Sequence, residues 1–237
     1  MDLLSFGDQG YGDELAFGAL LTIQMAVSGF GLALLGGVAI ALATLRRSGW
    51  RWASWRLYAS AFMSVPSLLV IFLIYYGGAN ALSALLRPLG LVASVQVTPF
   101  SAGVAGLGLV YAAYLAETVR AAIGNVPRGQ FEAAKALRLP TAVTWIRVIA
   151  PQAVRLALPG IMNLWIVVLK DTALVSLVGL KDIIAQAKMA AGVTREPFLF
   201  YIVAATFFVL LNALTLKMSG VLDRRVSRGF VSAGARA

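Results

Sequence analysis

The stretch LAFGALLTIQMAVSGFGLALLGGVAIALATL, residues 15–45, contains no charged side chain. A helix crossing a hydrocarbon core of about 30 Å needs about 20 mostly apolar residues. Leu15–Leu45 exceeds that length, so it tilts or begins outside the core. Four further runs of this kind follow, at about Leu57–Tyr76, Thr98–Val119, Val148–Leu169 and Phe198–Leu216. The pattern predicts an all-α polytopic membrane protein with five transmembrane helices, a single domain over residues 1–237. Two shorter apolar pieces stay outside this count. Ala81–Val97 holds Arg87, Pro88 and Gly90 and reads as a loop with a short interfacial helix. Thr172–Leu180 is too short to span, so it lies at the interface or re-enters.

Composition agrees. Of the 237 residues, 60% are hydrophobic and 13% charged; a soluble domain is about 45–50% apolar and about 25% charged. A soluble globular domain and a disordered chain are both excluded. The chain has no Cys and no His. That removes disulfides, thiolate metal sites, His-ligated zinc or haem, and Ser–His or Cys–His catalysis. No metal or cofactor is expected. Met1 to Glu14 are acidic and Gly-rich, unlike the basic n-region of a cleavable signal peptide.

The net charge of +10 is distributed unevenly. Arg46, Arg47, Arg51 and Arg56 follow the first span. Arg120, Arg128, Lys135, Arg138, Arg147 and Arg155 lie between the third span and the start of the fourth. Lys217, Arg224, Arg225, Arg228 and Arg236 follow the fifth. Only Arg87, Lys170, Lys181, Lys188 and Arg195 fall on the other side. By the positive-inside rule the larger group is cytoplasmic. With five spans the N-terminus is then outside and the C-terminus inside. Trp50, Trp52 and Trp55 alternate with these arginines as an interfacial belt does, so no nucleic-acid partner is needed.

Polar residues inside spans are costly, about 2.5–3.5 kcal/mol for a charge at mid-bilayer on insertion scales. Glu117 stands one turn before Arg120. It reads equally as an i,i+3 ion pair and as a carboxylate on a solute path. Asn163 and Asn212 are candidates for interhelical hydrogen bonds. Pro66, Pro151 and Pro159 predict kinks, and the glycines of spans one and three predict close helix approach.

The segment NVPRGQFEAAKALRLPTAVTWIRVIAPQA, residues 125–153, carries the functional signal. Pro127 and Gly129 close a turn. Gln130–Leu139 reads as a short helix with Glu132 in its first turn, stopped by Pro140. Such a helix is not stable alone in water and needs a partner surface. The pattern resembles the EAA loop of ABC-importer membrane subunits: Glu-Ala-Ala, three residues, Gly, nine residues, Ile, two residues, Pro. Glu132, Ala133, Ala134 and Pro151 match, with Val148 in place of Ile. Arg138 replaces the usual Gly, and is expected to end the helix without a positive φ or by different geometry.

Around it, Val65-Pro66, Phe72–Gly77, Tyr114…Glu117-Thr118…Arg120 and above all Ala157–Leu180 resemble the polar amino-acid permeases. The run Ala157–Leu180 resembles the Q-type subunits of histidine/lysine-arginine-ornithine and opine importers. Met63-Ser64-Val65-Pro66-Ser67 lacks the Arg before Gly-x-Pro that such families usually carry, and the acid that often follows the Pro. The resemblance implies a type I ABC importer permease fold in a bacterial inner membrane. Its partners would be an ABC ATPase dimer, a homologous M-type permease subunit and a periplasmic amino-acid-binding protein, and its cargo a basic amino acid or opine. It implies a coupling role for Gly129, Glu132, Ala133, Ala134, Arg138 and Pro151, in a loop over residues 120–147. Glu117, Tyr75, Tyr114, Asn163 and Trp165 would line the substrate path, Glu117 by charge and the aromatics by cation–π contact. No Gly-x-x-x-x-Gly-Lys-Ser/Thr occurs, so the chain is not itself the ATPase. Two rival readings are an ion-driven secondary carrier or channel, and a Ser–Lys hydrolase using Ser176 with Lys170 or Lys181.

Overall fold

A computed structural model describes residues 3–7, 10–86, 88 and 96–226. Every regular element among them is helical. Four helical segments are long and apolar enough to cross a membrane: Gly12–Ala43, Pro99–Gly124, Thr141–Val178 and Pro197–Val226. The first is α1, the second α5 and the last α10; α5 starts with a Thr98–Ser101 capping box and Pro99.

The second expected span is not one helix. Helix α2, Gly49–Ser64, ends at Val65, and Ser67 starts a new helical segment after a bend of 103°. Val65 is extended (φ −102°, ψ 132°), because the ring of Pro66 excludes its predecessor from helical backbone. Beyond the break come α3 (Ser67–Phe72), a π-helical turn (Leu73–Gly77) and α4 (Gly78–Leu86). Helix α4 overlaps the start of the 81–97 stretch; residues 87 and 89–95 of that stretch, Arg87 and Gly90 among them, lie outside the described residues, as do Arg228 and Arg236.

The fourth span is longer than expected. It runs through α7 (Thr141–Val143), a π-helical turn (Thr144–Ile149), α8 (Ala150–Asp171) and a 3-10 turn (Thr172–Val178). Pro151 sits at the start of α8, where a missing N–H costs little, while Pro159 is inside it. Thr172–Val178 continues α8 rather than standing apart, and Gly179 (φ 96°) ends it. Helix α6, Arg128–Ala136, precedes this span, and α9, Ile183–Thr194, packs between α1 and α10. Asp182 caps α9, its Oδ1 accepting from the Ala185 N–H at 2.9 Å, and the Ile183 N–H donates to Thr22 Oγ1 of α1 at 3.2 Å.

Helix α5 is the hub. It packs along the length of α1 and also against α3 and α8. Met25, Ile71, Leu107, Leu115, Val168 and Val175 form the core where these elements meet. α1 and α5 approach closely at Gly37, where a Cβ would lie 2.6 Å from Leu115 Cβ and 3.0 Å from the Ala112 carbonyl oxygen. The interhelical bonds expected of the two asparagines are not made: Asn163 is exposed, and Asn212 Oδ1 is buried without a partner.

Gly37→Ala is therefore expected to destabilise the chain by about 1–3 kcal/mol through overpacking. Gly31→Ala, which faces open space, is expected to be neutral. Thermal unfolding of both variants in detergent checks the contrast; equal midpoints would place the seam elsewhere.

Candidate functional site

The bend at Pro66 opens a cavity of about 420 Å³ against α5 and α8. Ser64, Pro66, Ser67, Tyr111, Tyr114 and Leu164 are among its walls. The broken backbone is partly satisfied from α5, where the Tyr114 hydroxyl donates to the Met63 carbonyl at 3.3 Å. Behind the wall stands Asp171, the last residue of α8. Its Oδ2 accepts from Ser67 Oγ and from the Tyr111 hydroxyl, each at 2.7 Å. One carboxylate thus ties α3, α5 and α8 together, one hydrogen bond away from the cavity. No basic side chain lines this cavity among the described residues.

Of the five residues expected on a substrate path, Tyr114 alone lines this cavity. Tyr75 lies in the π-helical turn, its ring edge-on to Tyr76 at 4.9 Å. Trp165 points toward a different neighbour: its Nε1 donates to Thr215 Oγ1 of α10 at 3.0 Å, and its ring meets Phe30 at 5.2 Å. Asn163 is exposed and lines no part of the cavity. Glu117 is half-exposed and paired with Arg120 at 2.7 Å, the ion pair its spacing allowed. Ser67, Tyr111 and Asp171 were not singled out from sequence. Asp171 is an acid at the end of a span, and that signal was available.

Arg120 is almost wholly buried. Besides Glu117 it donates from Nη2 to Thr44 Oγ1 at 2.6 Å. Its guanidinium lies 4.6 Å from the Trp55 ring centre and 5.2 Å from that of Trp52. A buried guanidinium needs such partners, and they come from α1, α2 and α5, so Arg120 closes the α1–α2 corner onto the hub.

Helix α6 projects from the bundle. Glu132 is its fifth residue, beyond the first turn rather than within it, and is exposed, as are Gly129 and Ala133. Ala134 is buried underneath. Phe131 meets Trp145 edge-on at 6.3 Å, and Gln152 Nε2 donates to Gln130 Oε1 at 3.3 Å, one residue after Pro151. The helix ends in a Schellman motif. The Arg138 N–H donates to the Lys135 carbonyl and the Leu139 N–H to the Ala134 carbonyl, each at 3.0 Å. This geometry demands a left-handed residue, and Arg138 supplies it at φ 51°. The expectation that Arg138 avoids a positive φ is overturned: two capping hydrogen bonds outweigh the Cβ penalty.

Comparison with known proteins places these features in a family. The model for "Binding-protein-dependent transport system inner membrane component" matches residues 33–228. The chain is 38% identical to the nopaline transport system permease protein NocQ of Agrobacterium fabrum, over 97% of this chain and 98% of that one. It is 36% identical to the histidine/lysine/arginine/ornithine transport system permease protein HisQ of Salmonella typhimurium, over 93% and 96%. A crystal structure of an amino acid ABC transporter with histidines matches with a TM-score of 0.77 at 30% identity, covering 91% of this chain and 95% of that one.

Asp171→Ala leaves the Ser67 and Tyr111 hydroxyls without their acceptor. It is expected to destabilise the bundle by about 1–3 kcal/mol, read as a lower midpoint in detergent. Arg138→Gly removes the left-handed strain and is expected to stabilise by about 0.5–1 kcal/mol. A lower midpoint for that variant would mean that the Arg138 side chain itself holds the loop.

Proposed function

The chain belongs to the binding-protein-dependent transport system inner membrane components, the permease subunits of ABC importers, and from that premise we propose what it carries and how it is driven. The cargo is a polar amino acid, with basic amino acids and opines first. The names of the relatives support this, and so does a cavity with the Asp171 carboxylate at its back and no cationic wall. In a low-dielectric setting an unopposed carboxylate favours a cationic solute, and Tyr114 on the wall offers a ring face to it. Glu117 lies one turn beyond Tyr114 on the same helix. The family reading replaces the ion-driven carrier considered from sequence.

The drive enters at α6. Gly129, Glu132 and Ala133 on its exposed surface, with Ala134 beneath and Arg138 at its end, form the seat for an ABC ATPase subunit. The observation that carries this is continuity. From Thr141 to Val178 the chain is helical for 38 residues. Gln152, beside Pro151, bonds α6 near one end, and Asp171 bonds α3 and α5 near the other. A push on α6 during ATPase closure is delivered along α8 to the cavity, rocking the bundle between inward- and outward-facing states. A homologous M-type permease completes the path, and a periplasmic amino-acid-binding protein delivers solute. The arginine-rich loops and α6 face the cytoplasm, with the N-terminus outside and the C-terminus inside.

Gentle purification of the tagged chain from its native membrane is expected to bring down a Walker-A ATPase and a second permease. In the assembled importer, Glu132→Lys is expected to abolish solute-stimulated ATP hydrolysis while membrane abundance stays unchanged. Full stimulation in that variant would sink the seat on α6.

A further inference from the structure

Where α1 ends and α2 begins, an apolar groove of about 320 Å³ runs between Ile40 and Ala43 on one side and Trp50, Trp55 and Tyr58 on the other, with Arg51 at its edge. Two of its polar groups are already used inside the protein. The Thr44 hydroxyl donates to the Ile40 carbonyl and accepts from Arg120, and the Tyr58 hydroxyl donates to the Leu109 carbonyl. Apart from the exposed Ser54 hydroxyl, what remains of the lining is aliphatic and aromatic. The rim is the opposite. Arg51 stands at the groove's edge, Arg46, Arg47 and Arg56 lie within five residues of it in the chain, all four are exposed, and no acid occurs between Glu14 and Glu117. Glu117 itself is paired with Arg120. Among the described residues Arg51 and Arg47 meet indole faces, Trp50 at 5.7 Å and Trp52 at 5.9 Å. At the start of α2, Ser48 makes no side-chain cap and the first turn holds no acid, so the terminal N–H groups add to the positive field.

An apolar groove under a rim of cations, on a helix long enough to cross the bilayer, calls for a ligand with an acyl chain and an anionic head. We propose that this groove binds an anionic phospholipid, with one acyl chain along Ile40, Ala43, Trp55 and Tyr58 and the phosphate against Arg51 and Arg47. A zwitterionic lipid fits the floor but brings its own cation to the rim. A soluble phosphate fits the rim but leaves the floor uncovered.

The test is native mass spectrometry of the full chain, purified in detergent with its copurifying subunits and titrated with phosphatidylglycerol, phosphatidylcholine or glycerophosphate. Phosphatidylglycerol is expected to be retained in preference to phosphatidylcholine. Arg51→Gln is expected to weaken it about fivefold and Arg47→Gln/Arg51→Gln about 30-fold. Arg224→Gln/Arg225→Gln, which removes equal charge from α10, is expected to leave retention unchanged. Ala43→Trp fills the groove with every arginine in place and is expected to lose the lipid as well. The proposal is overturned if phosphatidylcholine is held equally, if both double variants lose the lipid alike, if Ala43→Trp binds as the parent does, or if glycerophosphate displaces the lipid at matched concentration. Displacement by the ATPase subunit would assign the rim to a protein contact and overturn it too.

Discussion

Helices in a bilayer gain little from the hydrophobic effect when they meet, because lipid is as apolar as their side chains. They associate where backbones come close enough for dense dispersion contact and for hydrogen bonds. In this chain that condition is met along the seam of α1 and α5, and much else is placed by it. With α5 held, Tyr111 and Tyr114 stand at fixed height beside the Pro66 break, Arg120 reaches Thr44 on the far side of the seam, and α8 finds a surface to lie against. Removing the small residues would separate the two helices before it disturbed any polar contact.

Polar contacts then act where the seam leaves choices. Asp171 and Arg120 are the two cases, and they are used differently. Arg120 is enclosed by a carboxylate, a hydroxyl and two indoles, an arrangement that fixes a corner. Asp171 has two neutral hydroxyl donors, Ser67 and Tyr111. Its two hydroxyl donors come from α3 and α5, so this one side chain joins both elements to the end of α8.

Much of this was legible from sequence, for identifiable reasons. Hydropathy located every long segment because each must clear the same hydrocarbon thickness. The Glu132-Ala133-Ala134 pattern identified α6 because its residues are local in the chain. What failed was non-local. Pro66 announced a kink, but its angle depends on what α3 packs against. Trp165 is equally aromatic whichever way α8 is turned, and only the position of Thr215, 50 residues away, orients it toward α10. Asp171 meets Ser67 across 104 residues, a pairing that no spacing rule contains. Arg138 misled for a different reason: residue preference argued against a left-handed backbone, while the two carbonyls awaiting donors at the end of α6 required one.

The π-helical turns at Leu73–Gly77 and Thr144–Ile149 bear on how the chain can change length. Each holds one residue more than an α-helical turn over the same rise. A deletion inside either one restores α-geometry and leaves the flanking helices in phase. The same deletion in the middle of α5 would rotate everything beyond it by about 100°, carrying Arg120 away from Thr44. Loss of one residue is therefore tolerated at the two wide turns, one following α3 and one beside α6, and not in the hub.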